Sequence, residues 1–295
     1  MSYENKKVKD RLFCWIFGRE ENKRNLLSLY NALNGTEYKD ESLVEINTLE
    51  DIIYMNMKND VSCIIGDDLS LFEHQSTYNP NMPFREFQYC CKLYEEILVK
   101  RDYDLYSTRL LKFPAPHCYV FYNGTKEQED RELLRLSDAF ETPSEGYEWT
   151  TTMLNINYGH NKELMNKCEP LMEYSLFVSR IRENQQSMDK TIAVDEAVEY
   201  IIGRNGVLSE FFRINKAEVF DMCLTEYDEA KHLRNLKAEG RAEGRAEGEM
   251  ISALKIYEAM ISDGVSSEKA MMYSGFSEET LAQARRIKMK LNQEV

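Results

Sequence analysis

No apolar run in the chain approaches the ~18 residues that a membrane-spanning helix needs. The opening, MSYENKKVKD, is charged and leads into no apolar segment of the kind a secretory signal carries. A membrane partner is therefore not expected. None of the seven cysteines (Cys14, Cys63, Cys90, Cys91, Cys118, Cys168 and Cys223) stands in a CxxC pair. That disfavours a zinc ribbon or a disulfide framework and points to reduced, buried thiols in a cytoplasmic protein. His117, His160 and His232 have no partner at metal-ligand spacing. A basic surplus is also missing: 37 basic side chains face 51 acidic ones, leaving a net charge of −14. Nonspecific coating of nucleic acid is excluded, because it needs clustered Lys and Arg. A nuclease is not, since carboxylates that hold a metal are themselves acidic and a basic groove can sit on an acidic body. What the chain does have is material for a core. Its 18 Tyr, 13 Phe and 2 Trp rule out disorder over most of its 295 residues. That length suits one large domain or a domain with appendages.

Hydrophobic spacing predicts a helix over Asp10–Asn34, with a break near Gly18 and a stop at Asn34-Gly35. The period then changes to two, and three strands are predicted: Asp51–Met57, Asp60–Ile65 and Leu69–Gln75. Gly66-Asp67 between the last two suits a two-residue hairpin loop with Gly first. Asn81-Met82-Pro83 opens a further helix, since Pro is tolerated in a first turn. Its expected buried stripe is Phe84, Phe87, Cys91, Tyr94 and Leu98, and its polar stripe is Arg85, Tyr89, Lys92 and Glu96. His117–Tyr122 and Thr152–Tyr158 read as strands. Helices follow at Asn161–Ile181, Asp195–Ile202 and Val207–Tyr227. The fold class is α/β: helix, three strands, helix, strand, with a helical C-terminal region. The core spans 1–160, and 161–232 is a helical extension packed on it.

Residues 233–250 carry a period-four repeat, Ala238-Glu-Gly-Arg, Ala242-Glu-Gly-Arg, Ala246-Glu-Gly-Glu. Two readings are open. One is a flexible linker, because each Gly costs about 1 kcal/mol in a helix and Glu faces Glu at i+4. The other is a self-associating helix, whose Gly stripe allows close approach and whose Glu and Arg stripes meet those of a second copy. A homo-oligomer through this C-terminal region is expected on the second reading. Residues 251–295 read as a small helical module, three short helices parted by Gly264 and Gly275. That outline fits a docking or dimerising unit as well as a helix-turn-helix DNA reader.

The chemistry turns on strand parity. If Gly66-Asp67 form the loop, Ile65 pairs with Asp68, and stepping outward along both strands sets Asp60 opposite Glu73. Cross-strand partners share a face, with Cβ atoms about 4.5–5.5 Å apart. Gln75 lies on that face too, whereas the side chain of His74 points away. Two carboxylates so close repel unless a cation lies between them. Oxygen donors in incomplete protein coordination suit Mg²⁺ or Mn²⁺, with the backbone carbonyl of His74 as a third protein ligand. Such an ion can activate water against a phosphodiester. Gln75 cannot serve as a base but can orient the water through its amide. The plainer alternative is a solvated acidic pair beside a turn.

The run Asn59-Asp60 … Phe72-Glu73-His74-Gln75-Ser76-Thr77, followed by Asn81-Met82-Pro83-Phe84-Arg85 … Tyr89, resembles the Rpn family of recombination-promoting, transposase-like nucleases, within the PD-(D/E)XK superfamily. Asp10–Phe13, Phe17-Gly18, Asn31–Asn34, Val120–Gly124, Leu136–Asp138 and Leu154–Tyr158 resemble further blocks of that family, and the AEGR repeats resemble its glycine-rich C-terminal repeats. The resemblance implies a PD-(D/E)XK-like αβββαβ core with a mixed central sheet flanked by helices. It also implies a Mg²⁺-dependent DNA endonuclease linked to recombination or mobile elements. Carried over, Asp60 and Glu73 are the metal ligands and Gln75 is the third catalytic residue. The wider superfamily has Lys at that third position, so this chain follows the narrower pattern, and Asn59-Asp60 stands for the "PD". The alternative is a catalytically silent DNA-binding or oligomerising protein derived from a mobile element. Arg85, Tyr89 and Lys92 are candidate DNA contacts, with Arg85 anchoring a carboxylate as the competing role. Lys100, Arg101, Arg109 and Lys112 form a modestly basic strip, either a solvated face or part of a DNA channel. Asp10 reads as a helix N-terminal acid or as a fourth acid of the site.

Overall fold

The computed structural model describes residues 11–47, 60–142 and 146–291. Asp10, Asn59 and the strand predicted at Asp51–Met57 lie outside the described residues. The chain divides into two units, Met1–Glu226 and Tyr227–Val295. The first is α/β, a six-stranded mixed sheet with helices on both faces.

The predicted first helix is two. α1 (Arg11–Phe17) stops at Gly18, a 3₁₀ turn follows at Glu20–Asn22, and α2 (Lys23–Asn34) ends on Gly35. The next elements are β1 (Glu45–Ile46), β2 (Val61–Ile65), β3 (Asp68–Gln75), α3 (Met82–Lys100), β4 (Ala115–Tyr122), β5 (Arg131–Arg135) and β6 (Thr150–Asn155). The sheet order is β1-β2-β3-β4-β6-β5. β1, β2 and β3 are antiparallel neighbours. β3, β4 and β6 run parallel, and β5 returns antiparallel on the far edge. β3 and β4 are joined through α3, the crossover that a parallel pair requires. Ile65 pairs with Asp68 and Val61 with Phe72, so the hairpin loop is the two residues Gly66-Asp67. Gly66 adopts φ +62°, which the first position of such a loop demands.

Alternation along β3 sorts the core. Phe72, with Phe121 and Leu154, faces α1, α2 and the later helices, where Phe13, Phe17, Leu26, Leu171 and Phe177 close the larger core. Leu69 and Leu71 face α3, against Tyr89, Cys90, Leu93 and Ile97. The face of α3 thus differs from the predicted one. Met82, Glu86, Tyr89, Cys90, Leu93 and Ile97 are buried, whereas Phe84 is 49% exposed and Cys91 is exposed. The helix is turned by about one residue, so that Met82, Glu86, Tyr89, Leu93 and Ile97 face inward in place of the series starting at Phe84.

The helical extension comprises α4 (Lys162–Lys167), α5 (Glu169–Asn184), α6 (Lys190–Gly203), α7 (Ser209–Ile214) and the start of α8 (Lys216–Ser262). It closes on itself through Phe177 and Phe212, whose rings are 4.7 Å apart, and on α1 through Trp15 and Phe211 at 5.1 Å. The AEGR repeats lie within α8, so that stretch is helical. The second unit holds the end of α8, α9 (Ser267–Ser274) and α10 (Glu278–Leu291) around Leu254, Tyr257, Ala270, Leu281 and Ala284. Among the described residues no helix is long and apolar enough to cross a membrane.

β4 runs out at Tyr122-Asn123-Gly124, beside the end of β3. A Cβ on Gly124 would fall 2.3 Å from the Tyr122 hydroxyl and 2.5 Å from the Ser76 carbonyl oxygen. The second of these is backbone and cannot step aside. Gly124→Ala is therefore expected to destabilise the protein by about 2–3 kcal/mol, read as a lower urea midpoint with unchanged slope.

Candidate functional site

Asp60 immediately precedes β2, and Glu73 is in the last turn of pleat of β3. The two acids are cross-linked through backbone. The Asp60 N–H donates to Glu73 Oε1 at 3.1 Å, and the His74 N–H donates to Asp60 Oδ2 at 2.7 Å. The tight hairpin therefore brings both carboxylates to one spot, as parity requires. Glu73 is only 2% exposed, and a carboxylate so enclosed is costly to keep charged unless a cation accompanies it. The structure supplies one from α3. Arg85 Nη2 lies 3.5 Å from Glu73 Oε2, and Arg85 Nε and Nη2 donate to the Tyr89 hydroxyl at 3.3 and 2.9 Å. With the Gln75 amide oriented to satisfy both its ends, Oε1 accepts from Arg85 Nη1 at 2.9 Å and Nε2 donates to Thr77 O at 3.2 Å.

The electrostatics follow from these contacts. Burial pulls the Arg85 guanidinium toward losing its proton, but the Tyr89 hydrogen bond and the charges of Glu73 and Asp60 together outweigh it and hold the group cationic. Burial, then the Glu73 charge, raise the Tyr89 hydroxyl, so it stays a neutral partner for Arg85.

His74 divides its roles between two sides. The Gln75 carbonyl accepts the Asn123 N–H at 2.8 Å, so Gln75 turns its peptide groups toward β4. Alternation turns those of His74 toward β2, where its N–H meets Asp60. Its carbonyl shares that edge with the acid pair. Its ring lies on the opposite sheet face, stacked on Phe13 at 5.2 Å, with Nε2 3.0 Å from the Tyr174 hydroxyl.

The structure thus brings together Asp60, Glu73, Gln75, the His74 backbone, Arg85 and Tyr89. It does not bring Lys92, which bonds Glu95 at 2.7 Å. Nor is Tyr89 part of an exposed polar stripe, since it is buried beneath Arg85. Arg101, Arg109 and Lys112 lie in the segment that leads into Ala115 of β4. That end of β4 is level with Asp68, whereas Gln75 is level with Tyr122. The basic strip is thus at the other end of the sheet from the acid pair, and Lys100 is bonded to Glu45. His117 contacts Asp68 at 3.2 Å and His160 contacts Asp130 at 2.6 Å, both pairs remote in sequence.

Two buried acids among the described residues, Glu86 and Glu173, escaped sequence reasoning, and the first lies next to Arg85. Glu86, on α3, is fully buried, accepts from the Thr151 hydroxyl and lies beside Cys118. Burial pushes its pKa up to about 8. The available signal was its place between Met82 and Cys90 at i+4 spacing, inside an apolar series.

Among the described residues, no group of three or more His, Cys, Asp or Glu is placed to hold a metal ion. The donor set at Asp60, Glu73 and the His74 carbonyl is instead two hard carboxylates and an edge carbonyl. That set would suit a hard divalent ion such as Mg²⁺ or Mn²⁺ and lacks the thiolate and imidazole donors of common zinc sites. No family model, curated protein or solved structure matches the chain.

Proposed function

We propose that the protein is a metal-dependent DNA endonuclease of the Rpn, PD-(D/E)XK kind. The observation that carries this reading is the crossed pair Asp60–Glu73, two acids joined through each other's strand ends beside an arginine and an amide. The element order helix, three strands, helix, strand in a mixed sheet also agrees with an αβββαβ core.

In this reading Asp60 and Glu73 hold Mg²⁺ or Mn²⁺, with the His74 carbonyl as a third protein ligand. The ion, when bound, would supply Lewis-acid polarisation of the phosphodiester and a more acidic attacking water. Water adds to phosphorus, one P–O bond breaks, and the products are a phosphate monoester and an alcohol. Gln75, held between Thr77 and Arg85, orients polar groups at the site without itself taking a proton. Where the superfamily pattern places lysine, this chain has a neutral amide, and positive charge beside Glu73 comes from Arg85. The phosphates of DNA are the substrate groups that such a cationic edge suits.

The test is cleavage of supercoiled plasmid by the full chain. Nicking is expected with Mg²⁺ or Mn²⁺ and is expected to vanish with excess EDTA. Equal nicking with and without chelator, or none with either metal while DNA is still retained in a mobility-shift gel, would favour the catalytically silent DNA-binding alternative.

A further inference from the structure

Glu73 is enclosed, and the side chain that neutralises it is mounted on a different element. Arg85 projects from the first turn of α3 and is 37% exposed at its side chain. Besides a 3.3 Å contact with the Met82 sulfur, it spends its donors on three groups: Glu73 Oε2, Gln75 Oε1 and the Tyr89 hydroxyl. The Glu73 contact is the longest of these three, 3.5 Å against 2.9 Å for each of the other two. The guanidinium is therefore anchored by neutral partners and held near the acid pair rather than clamped onto it. A divalent ion seeking Glu73 Oε2 meets a positive charge already in place. Two cations cannot both sit within a few ångströms of one buried carboxylate without strong mutual repulsion.

We infer that Arg85 is the resident counter-charge of the Asp60–Glu73 pair, and that a divalent ion loads only as Arg85 gives up Glu73, so that this arginine sets the metal affinity of the site. The inference rests on the metal-site reading above and adds its regulation. Metal loading and the Arg85–Glu73 contact are coupled, and by linkage each opposes the other to the same extent. Gln75 and Tyr89 keep the released guanidinium at the site, where it can face a phosphate oxygen.

The experiment is calorimetric titration of the full chain with Mn²⁺ in the absence of DNA, for wild type, Arg85→Met and Arg85→Lys. Met keeps the length and removes the charge, and Lys keeps the charge and loses the fork. Arg85→Met is expected to bind Mn²⁺ at least about tenfold more tightly than wild type, while Arg85→Lys stays close to wild type. Thermal melting of each protein checks that the variants are folded. If Arg85→Met is unfolded, Arg85→Gln takes its place with the same expectation. Mn²⁺ binding by wild type that is unchanged or weakened when the charge is removed would overturn the inference and leave the metal site standing. Absence of binding in all variants would overturn the metal site and this inference with it. Binding that is seen only once the charge is removed would support both.

Discussion

Glu73→Gln is expected to lower Mg²⁺-dependent cleavage by at least about 100-fold while leaving the fold intact. Loss of outer partners of a metal site alone costs about 10- to 100-fold, and here a charged ligand itself is removed. The amide oxygen of Gln can still accept the Asp60 N–H that Glu73 Oε1 accepts now, so the hairpin keeps its cross-link. Arg85 would lose its ion pair but retain Tyr89 and Gln75, and its partial exposure lets water solvate it. The melting temperature should fall by several degrees, because Glu73 is enclosed and the change removes one partner of its pair with Arg85. Parallel plasmid assays and melts on wild type and variant decide the matter. Cleavage within a few-fold of wild type would remove this carboxylate from the chemistry.

A second large effect concerns Glu86, one residue beyond Arg85 but enclosed on the sheet side of α3. Its pKa is about 8 in the folded protein, against 4.5 for an ordinary Glu, because burial disfavours the charged form. Below pH 4.5 the acid is protonated in both states and costs nothing electrostatically. Between 4.5 and 8 the unfolded chain releases the proton and the folded one keeps it, so stability falls as pH rises. Above 8 the full penalty is present, roughly 5 kcal/mol at its limit. Glu86→Gln carries no such proton and can still accept from Thr151. Urea unfolding of both proteins at pH 5 and pH 9 should show the variant gaining about 3–5 kcal/mol on wild type between the two. A gap that does not change with pH would mean that Glu86 is not held neutral.

The hairpin was legible because a two-residue loop leaves no freedom of register. Once Ile65 meets Asp68, every later pair is fixed, and the meeting of Asp60 with Glu73 follows from counting. The orientation of α3 was not legible in the same way. Phe84, Phe87 and Tyr94 make a plausible apolar stripe, and only the sheet's preference for Met82, Tyr89, Leu93 and Ile97 decides against it. That choice depends on tertiary packing and carries Glu86 inward and Tyr89 beneath Arg85. β5 is not legible because Arg131–Arg135 is an edge strand with one buried residue, Leu134, and its apolar neighbour Leu133 is exposed. Its strand character comes from pairing with β6. The AEGR stretch was ambiguous because its glycines weigh against helix locally, while α8 extends on both sides of it. Arg85's contact with Glu73 is not fixed by the sequence, because a polar side chain one helix away from a strand cannot be assigned a partner from spacing alone.

The helical form of the AEGR stretch has a geometric consequence. A pattern that returns every four residues outruns a turn of 3.6 by about 40° each time. From Gly240 to Gly248 the glycine line therefore migrates about 80° around the axis, climbing with a right-handed slant. A straight neighbour laid along α8 could follow that line for only a short distance. One that tracked it throughout would have to wind with right-handed sense, the opposite of a heptad zipper.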